Sequence, residues 1–311
     1  MSRPENGPSG DDSQAFEQRQ GAAFDIVSAS NPGLPVLLAA PHGGRDYPDD
    51  VLANMRDPSL RLRLEDRHVD TLAAEVARLS GATLIRANVP RAIIDLNRAP
   101  DDVDWGMVSG QRPERTRHSL ANRRARSGLG LVPRRLTGTG ELWKRPLPRT
   151  ELDRRIETVH RPYHQSLGSA LEALRDEWGA ALLVDLHSMP PLRKRHPGQV
   201  TPEFVIGDRF GASCDGRLVA TALNHLGEQF RPVAHNRPYS GGYVLDRHGA
   251  PRRDVHAMQV EVCRTSYLDS RLEEPCARLP AVARLLADMV RRLADEVAEL
   301  GRRDELPQAA E

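Results

Sequence analysis

The chain lacks several features that would place it in a specialised class of protein. It has only three cysteines, Cys214, Cys263 and Cys276, which do not have the paired spacing of a zinc ribbon. We therefore expect reduced thiols and a cytoplasmic location. No stretch approaches the ~20 apolar residues of a membrane span. The N-terminus has no apolar signal core and is rich in Gly, Pro and Ser, so residues 1–22 are predicted to be a disordered tail.

The chain also lacks a charge imbalance. Its 44 Lys and Arg residues nearly cancel its 43 Asp and Glu residues, so net charge gives no reason to expect nucleic acid or a membrane as partner. Two arginine-rich stretches, 112–118 and 123–126, contain no interleaved aromatic residues and are interpreted as solvated surface. No internal repeat, Gly-x-Gly-x-x-Gly motif or phosphate-binding loop occurs. A hydrophobic fraction of 39% is enough for a core, and a single domain is predicted over residues 23–305.

Apolar patterning predicts strands alternating with helices, which indicates a three-layer α/β/α fold with a mixed, mostly parallel central sheet. The predicted strands are 35–40, 82–85, 91–96, 180–186, 204–207 and 258–262. The predicted helices are 62–79, 151–178 and 279–300. Residues 99–150 are polar and weakly periodic, and such a long excursion is typical of a lid or an insert.

Polar residues follow several of these strands. His42 follows the first, Asn97 and Arg98 follow the third, and His187 ends the fourth. In open α/β sheets the carboxyl ends of the strands form the site. Asp185 and His187 lie two apart on an extended chain and therefore point to the same face.

Glu261 interrupts an apolar strand, and a buried carboxylate requires either a cation or a raised pKa. It can be a general base facing a metal, or the partner of Arg264 in a structural ion pair. His42 can likewise be a structural loop histidine, and Arg98 can be a structural partner of Asp95 rather than a carboxylate-binding residue.

These stretches resemble one known family. The segments that carry the resemblance are Pro41-His-Gly-Gly-Arg-Asp-Tyr-Pro48, Glu65-Asp-Arg-His-Val-Asp70, Arg91-Ala-Ile-Ile-Asp-Leu-Asn-Arg98, Arg161-Pro-Tyr-His164, Asp185-Leu-His-Ser-Met189, Tyr239-Ser-Gly-Gly-Tyr243 and Gln259-Val-Glu-Val-Cys-Arg264. Together they resemble the N-formylglutamate amidohydrolases, in order and across about residues 35 to 270. That family is similar in fold and site to the zinc carboxypeptidases, which have the phosphorylase/hydrolase-like fold.

The resemblance implies one Zn²⁺ per chain. It implies that His42 and His187 are zinc ligands and that Glu261 is the general base, which activates water and later protonates the leaving amine. Arg91 is the candidate that stabilises the oxyanion, and Asp185 is expected to orient a ligand.

The resemblance also implies how substrate is bound. Asn97 and Arg98, with Arg264, are expected to bind substrate carboxylates. Gly242 and Tyr243 are expected to contact substrate from a loop, 239–243, that can close over it.

This chain departs from the carboxypeptidase pattern at one ligand. Carboxypeptidases have a glutamate three residues after the first histidine, where this chain has Arg45. We expect Asp66 to replace it, with Asp46, Glu65 and His68 as alternatives.

The activity implied is hydrolysis of an N-acyl acidic amino acid, with N-formyl-L-glutamate the best candidate, and with it a role in histidine degradation. The partner is then a small-molecule N-acyl amino acid, with no nucleic acid and no membrane. Two alternatives are a zinc amidase or peptidase acting on a cell-wall peptide or another acyl-amino acid, and a metal-free binding protein. The oligomeric state is left open.

Overall fold

The computed structural model describes residues 17–20, 23–28, 33–111, 123–136, 138–194 and 196–304. The arginine-rich stretch 112–118 and most of the predicted tail, residues 1–16 and 21–22, lie outside these ranges. The part of the predicted tail that is described, Glu17–Gln20, forms an edge strand. Within the described ranges no helix has the length and apolar character needed to cross a bilayer.

Twelve strands and nine α-helices are present in the described residues. The strands are β1 Glu17–Gln20, β2 Phe24–Ser28, β3 Val36–Ala40, β4 Thr83–Ala87, β5 Val108–Ser109, β6 Arg135–Leu136, β7 Gly140–Glu141, β8 Leu147–Pro148, β9 Ala181–Met189, β10 Phe204–Gly207, β11 Val233–His235 and β12 Val255–Cys263. The helices are α1 Asp49–Asn54, α2 Arg61–Leu64, α3 Val69–Ser80, α4 Arg123–Arg126, α5 Arg149–Arg155, α6 Arg161–Trp178, α7 Gly216–Glu228, α8 Tyr243–His248 and α9 Leu279–Asp304. A π-helical turn, Ile156–His160, joins α5 to α6.

Eight strands form one mixed sheet in the order β1-β2-β4-β3-β9-β12-β10-β11. The four central strands, β4, β3, β9 and β12, are mutually parallel, whereas β2 and β10 pair antiparallel to β4 and β12. The carboxyl ends of the four central strands therefore meet at one edge of the sheet. The predicted α/β class with a mixed, mostly parallel sheet is confirmed.

Both faces of this sheet are covered. In β3, the side chains of Val36, Leu38 and Ala40 belong to one core and those of Leu37 and Ala39 to the other. The first core packs against α3, α7 and α9, and the second against α6 and the segment 131–163. This alternation along a strand buried on both faces gives the three layers.

Two predicted elements are wrong. Residues 91–96 form a buried turn rather than a strand, because the backbone N–H groups of Ile93 and Ile94 turn back to the carbonyl of Pro90. The predicted helix 62–79 is interrupted between α2 and α3. There the N–H of Asp66 donates to the carbonyl of His42, and His68 has a positive φ of 54°. Each segment is also held by a long-range hydrogen bond, from the N–H of Asp95 to the carbonyl of Leu131 in the first and from the N–H of Asp66 to the carbonyl of His42 in the second. These tertiary contacts override the local pattern that periodicity indicates.

The long C-terminal helix α9 contacts the end of α6 through two glycines. Gly179 ends α6 with φ 77°, and a Cβ on it would meet the backbone of Gly301 at 2.7–2.9 Å. A Cβ on Gly301 would in turn overlap with the carbonyl oxygen of Trp178. The two backbones can approach this closely only without side chains.

Gly301→Ala is therefore expected to destabilise the fold by about 1–3 kcal/mol, because the added methyl group must displace packed backbone. Urea unfolding of the purified protein measures this change. Gly227→Ala in α7 is the matched control. Its Cβ meets nothing within 4 Å, so the same substitution should stabilise the protein by roughly 0.5–1 kcal/mol. Equal midpoints for Gly301→Ala and the wild type would contradict the packing argument.

Candidate metal centre and active site

The carboxyl edge of the sheet brings together three side chains that come from distant parts of the sequence. His42 follows β3, Asp66 lies in the break between α2 and α3, and His187 is near the end of β9. All three are buried, and one ligand atom from each lies within 4.8 Å of the others. Asp66 Oδ2 lies 3.0 Å from His187 Nδ1 and 3.4 Å from His42 Nδ1.

Two further carboxylates fix the orientation of both imidazoles. Asp95 Oδ1 lies 2.7 Å from His42 Nε2, and Asp185 Oδ2 lies 2.8 Å from His187 Nε2. Each histidine can donate its Nε2–H to a carboxylate, which leaves Nδ1 facing Asp66. This carboxylate–histidine arrangement is the one that commonly supports metal-binding imidazoles.

The arrangement fits a metal ion. His42 Nδ1 is buried and has no hydrogen-bond partner, an unusual state for a buried polar atom. Two imidazole nitrogens and one carboxylate oxygen are also a donor set found in catalytic zinc sites with an open fourth position. The three residues can therefore hold a metal.

The electrostatics of the centre follow from burial and pairing. Burial alone would raise the pKa of Asp66, but the neighbouring imidazoles of His187 and His42 hold that pKa below its ordinary value. Burial alone would lower the pKa of His187, but Asp185 and Asp66 hold it well above its ordinary value. The pKa of Asp95 lies well below its ordinary value despite burial, because Arg91, His42 and Arg98 surround it.

Glu261 lies beside this cluster. In the parallel pairing of β12 with β9 it is opposite His187, and Gln259 is opposite Asp185. Gln259 Nε2 donates to Glu261 Oε1 at 2.8 Å. Burial raises the pKa of Glu261 to about 7, partly offset by the charge of His187. Among the described residues no ion pair joins Glu261 to Arg264.

The residues predicted to bind substrate line one cavity of about 620 Å³ together with the His–Asp–His cluster. Asn97 and Arg98 reach it from the buried turn rather than from a strand end. The guanidinium of Arg98 donates to the carbonyls of Leu129 at 2.9 Å and of Asn97 at 2.7 Å, and lies 3.9 Å from Asp95. Arg91, which lines the same cavity, is the nearer partner of Asp95, at 2.8 Å.

Arg264 is more fully engaged by the protein than Arg98. It donates to Ser188 Oγ at 3.1 Å and to the carbonyl of Glu65, and it lies 3.6 Å from Asp66. It lines the cavity but is nearly buried, with 9% of its surface exposed. Arg264 thus supports the segment that carries Asp66.

Gly242 and Tyr243 lie where the loop 239–243 meets Asn97. The Oδ1 of Asn97 accepts from the N–H of Val244 at 3.0 Å, and a Cβ on Gly242 would lie 2.5 Å from that same Oδ1. A side chain at position 242 would therefore displace Asn97. The loop and the turn form one continuous wall of the cavity.

The alternatives to Asp66 lie elsewhere. Glu65 is paired with Arg67 at 2.9 Å, His68 lies 3.3 Å from Glu274, and Asp46 is exposed. None of the three belongs to the group of clustered ligand atoms found among the described residues.

Residues 34–268 match the family model of the N-formylglutamate amidohydrolases. The chain belongs to this family. It is 31% identical over 252 residues to the N-formylglutamate deformylase of Pseudomonas putida, covering 78% of this chain and 85% of that protein. It is 28% identical over 286 residues to the N-formylglutamate deformylase of Pseudomonas aeruginosa, covering 89% and 98%.

Two solved structures are similar to this chain. The N-formylglutamate amidohydrolase of Ralstonia eutropha JMP134 superposes with a TM-score of 0.78 at 32% identity, covering 91% of this chain and 99% of that one. A gene product of Agrobacterium tumefaciens shares the fold, with a TM-score of 0.63 at 18% identity over 89% and 96% of the two chains. The chain is therefore an amidohydrolase, and the family resemblance seen in its motifs is confirmed.

Sequence reasoning missed several residues that shape this amidohydrolase site. His164 Nε2 lies 3.0 Å from the carbonyl oxygen of Leu96, and His160 Nε2 lies 2.9 Å from that of Arg98. The two imidazoles therefore hold the backbone on both sides of Asn97. The Arg161-Pro-Tyr-His164 motif contains His164 but not His160. The carbonyl groups that the two imidazoles contact can be identified only from the structure.

Gln259 was also missed as a partner of Glu261. Its signal was present in the sequence, because Gln259 and Glu261 are two apart on a strand and must share a face. A polar pair on a strand that is otherwise apolar indicates a shared polar function.

If Asp66 is a metal ligand, Asp66→Asn should weaken metal binding by at least about 100-fold, because a neutral amide replaces one of three protein ligands. Metal content per chain after dialysis against a chelator measures this. Asp46→Asn is the matched control, since it makes the same change at an exposed position and should keep wild-type metal. Full metal retention by Asp66→Asn would remove Asp66 from the ligand set.

Proposed function

We propose that this chain hydrolyses N-formyl-L-glutamate to formate and L-glutamate in a zinc-dependent reaction. The observation that carries the proposal is the buried His42–Asp66–His187 cluster with Glu261 opposite one of its members, in a family whose relatives are named for that substrate. We further propose that residues 23–305 form a single catalytic domain, in which Ala99, Asp102, Arg124 and Leu129 from the excursion 99–150 build part of the cavity wall.

His42, Asp66 and His187 are the proposed ligands of one zinc ion. A bound zinc ion supplies Lewis-acid polarisation of an amide carbonyl and lowers the pKa of water towards ~7. Asp95 and Asp185 orient the two imidazoles through their Nε2 atoms. The orphaned Nδ1 of His42 supports this assignment.

Glu261 is the proposed general base. Its carboxylate takes a proton from the attacking water and delivers it to the nitrogen of the leaving amine. Burial raises its pKa to about 7, close to the value at which one group can both accept and return a proton near neutrality. The hydrogen bond from Gln259 fixes one carboxylate oxygen and leaves the other for this transfer.

Arg91 is the proposed stabiliser of the oxyanion that forms at the amide carbonyl. Its Nε is bound to Asp95, which anchors the guanidinium at the cavity wall. A cation held in place by a buried carboxylate needs no reorganisation as negative charge develops.

Arg98 is the proposed principal anchor for a substrate carboxylate, with Asn97, Gly242 and Tyr243 beside it. Its contacts with two carbonyls use Nε and Nη1 and fix the plane of the guanidinium. Among the described residues no hydrogen bond engages its Nη2, which can therefore donate to a ligand. Arg264 would have to give up a hydrogen bond to the protein before it could donate to a ligand, so we assign it a secondary role in substrate binding.

A cavity of about 620 Å³ is the size of a site for a small molecule. A peptide from a cell wall would need a longer and more open cleft, so this alternative is less well supported. A panel of N-acyl amino acids and cell-wall peptides separates the two activities. The metal-free binding alternative is not compatible with an amidohydrolase.

Three free cysteines support our proposal of a cytoplasmic location.

Glu261→Gln should keep its zinc and lose ~10²–10⁴-fold in kcat on N-formylglutamate, because it removes the general base and leaves the ligands in place. Steady-state kinetics and metal analysis of the same preparation measure both quantities. Glu172→Gln, at an exposed position on α6, is the control and should behave as wild type. Loss of zinc would instead identify Glu261 as a ligand, and normal kcat would identify it as structural.

Arg98→Lys should lower kcat/KM on N-formylglutamate about ten- to a hundred-fold, since a lost charge-assisted hydrogen bond is equivalent to roughly 1.5–3 kcal/mol. Lysine keeps the charge but not the planar fork. The analogue with an α-carboxamide should already be a poor substrate and should lose little more. Equal losses on the two substrates would contradict carboxylate recognition by Arg98.

A further inference from the structure

A short piece of the excursion between residues 99 and 150 forms part of the cavity wall beside Arg98. Helix α4 is held there by Asp102, whose Oδ1 accepts from the N–H of Ala125 at 3.0 Å. The carbonyl of Asp102 accepts from the N–H of Leu131 at 2.7 Å. Asp102 is almost fully buried, with 1% of its surface exposed, so α4 is fixed to the segment that carries Arg98.

Arg124 extends from this helix and lines the catalytic cavity together with Arg98. The two guanidinium groups are close enough to interact. Burial lowers the pKa of Arg98, the charges of Arg91 and Arg124 lower it further, and the charges of Asp95 and Asp102 only partly offset this. Two cations on one wall repel each other unless anions lie between or beside them. The wall is therefore suited to a ligand with more than one negative charge.

Arg124 differs from the other cavity arginines in its lack of a protein partner. Arg91 is bound by Asp95, Arg209 by Asp246 at 2.5 Å, and Arg264 by Ser188. Within the ranges that the structure describes, no hydrogen bond or ion pair engages the side chain of Arg124. The side chain is exposed to the cavity and to solvent. A guanidinium in this state can bind an incoming carboxylate bidentately without first breaking a protein contact.

We propose that Arg124 is a specificity-determining residue that binds the side-chain carboxylate of a dicarboxylic N-acyl amino acid, while Arg98 binds the α-carboxylate. This inference rests on the proposed function and deepens it, because it explains selection of an acidic amino acid over a neutral one. It also gives part of the 99–150 excursion a role. The carboxyl edge of the sheet then supplies the metal ligands and the general base, and the excursion supplies the residue that binds the substrate side chain.

The test compares Arg124→Gln with wild type on N-formylglutamate and on N-formylglutamine, which differ only in the side-chain carboxylate. The variant should lose about ten-fold in kcat/KM on N-formylglutamate, mainly through KM, and change by less than about two-fold on N-formylglutamine. Arg124→Lys should recover part of the loss because it restores the charge without the fork. Arg126→Gln, two residues along the same exposed helix, is the matched control and should leave both substrates unaffected.

Equal losses on the two substrates, or no loss on either, would overturn the role of Arg124. Zinc content and thermal unfolding of each variant show whether a loss has a structural origin, and a loss on both substrates with intact zinc still counts against the proposal. A wild-type enzyme that leaves N-formylglutamate unhydrolysed would overturn the proposed function and this inference with it. A wild type that hydrolyses N-formylglutamate with a selectivity insensitive to position 124 would overturn the inference alone.

Discussion

The two carboxylate–histidine pairs are the interaction on which the rest of the site depends. Asp95 and Asp185 bind the Nε2 atoms of His42 and His187, so both Nδ1 atoms face Asp66. Buried carboxylates are costly unless cations or hydrogen bonds accompany them. Here each carboxylate is paired with an imidazole that is itself needed at the centre. The same contacts therefore offset the cost of burial and orient three side chains that can hold a metal ion.

The sheet places these pairs where they can meet. On β9 the face that carries Ala181 and Leu183 in the core continues as Asp185 and His187 at the carboxyl end. The same change from apolar to polar occurs on β12, where Gln259 and Glu261 follow the core residues 255 and 257. Because these strands are parallel, both polar segments reach the same edge of the sheet. The edge that carries the candidate site is thus a continuation of the core face.

Sequence patterns predicted this edge well because strands buried on both faces have a strong local signal. His42 and His187 were located at the ends of apolar runs, and Glu261 was located as a carboxylate that interrupts one. The turn 91–96 was not predicted, since its apolar residues are also compatible with a strand. What determines its shape is a contact far along the chain, the hydrogen bond from the N–H of Asp95 to the carbonyl of Leu131. No local periodicity contains that information.

The excursion shows the same limit, because its contacts with the candidate site leave no local signal in the sequence. Its polar sequence has little periodicity, yet Leu129 accepts a hydrogen bond from Arg98, and Asp102 holds helix α4 in place. Residues that perform chemistry must be fixed by the sheet, whereas residues that select among side chains can lie on a loop that the sheet supports. Under the proposed assignments, a change in the excursion would alter which amino acid is accepted without moving the ligands or the base. Arg124 belongs to the excursion and lines the cavity, so substituting it tests selectivity separately from the chemistry.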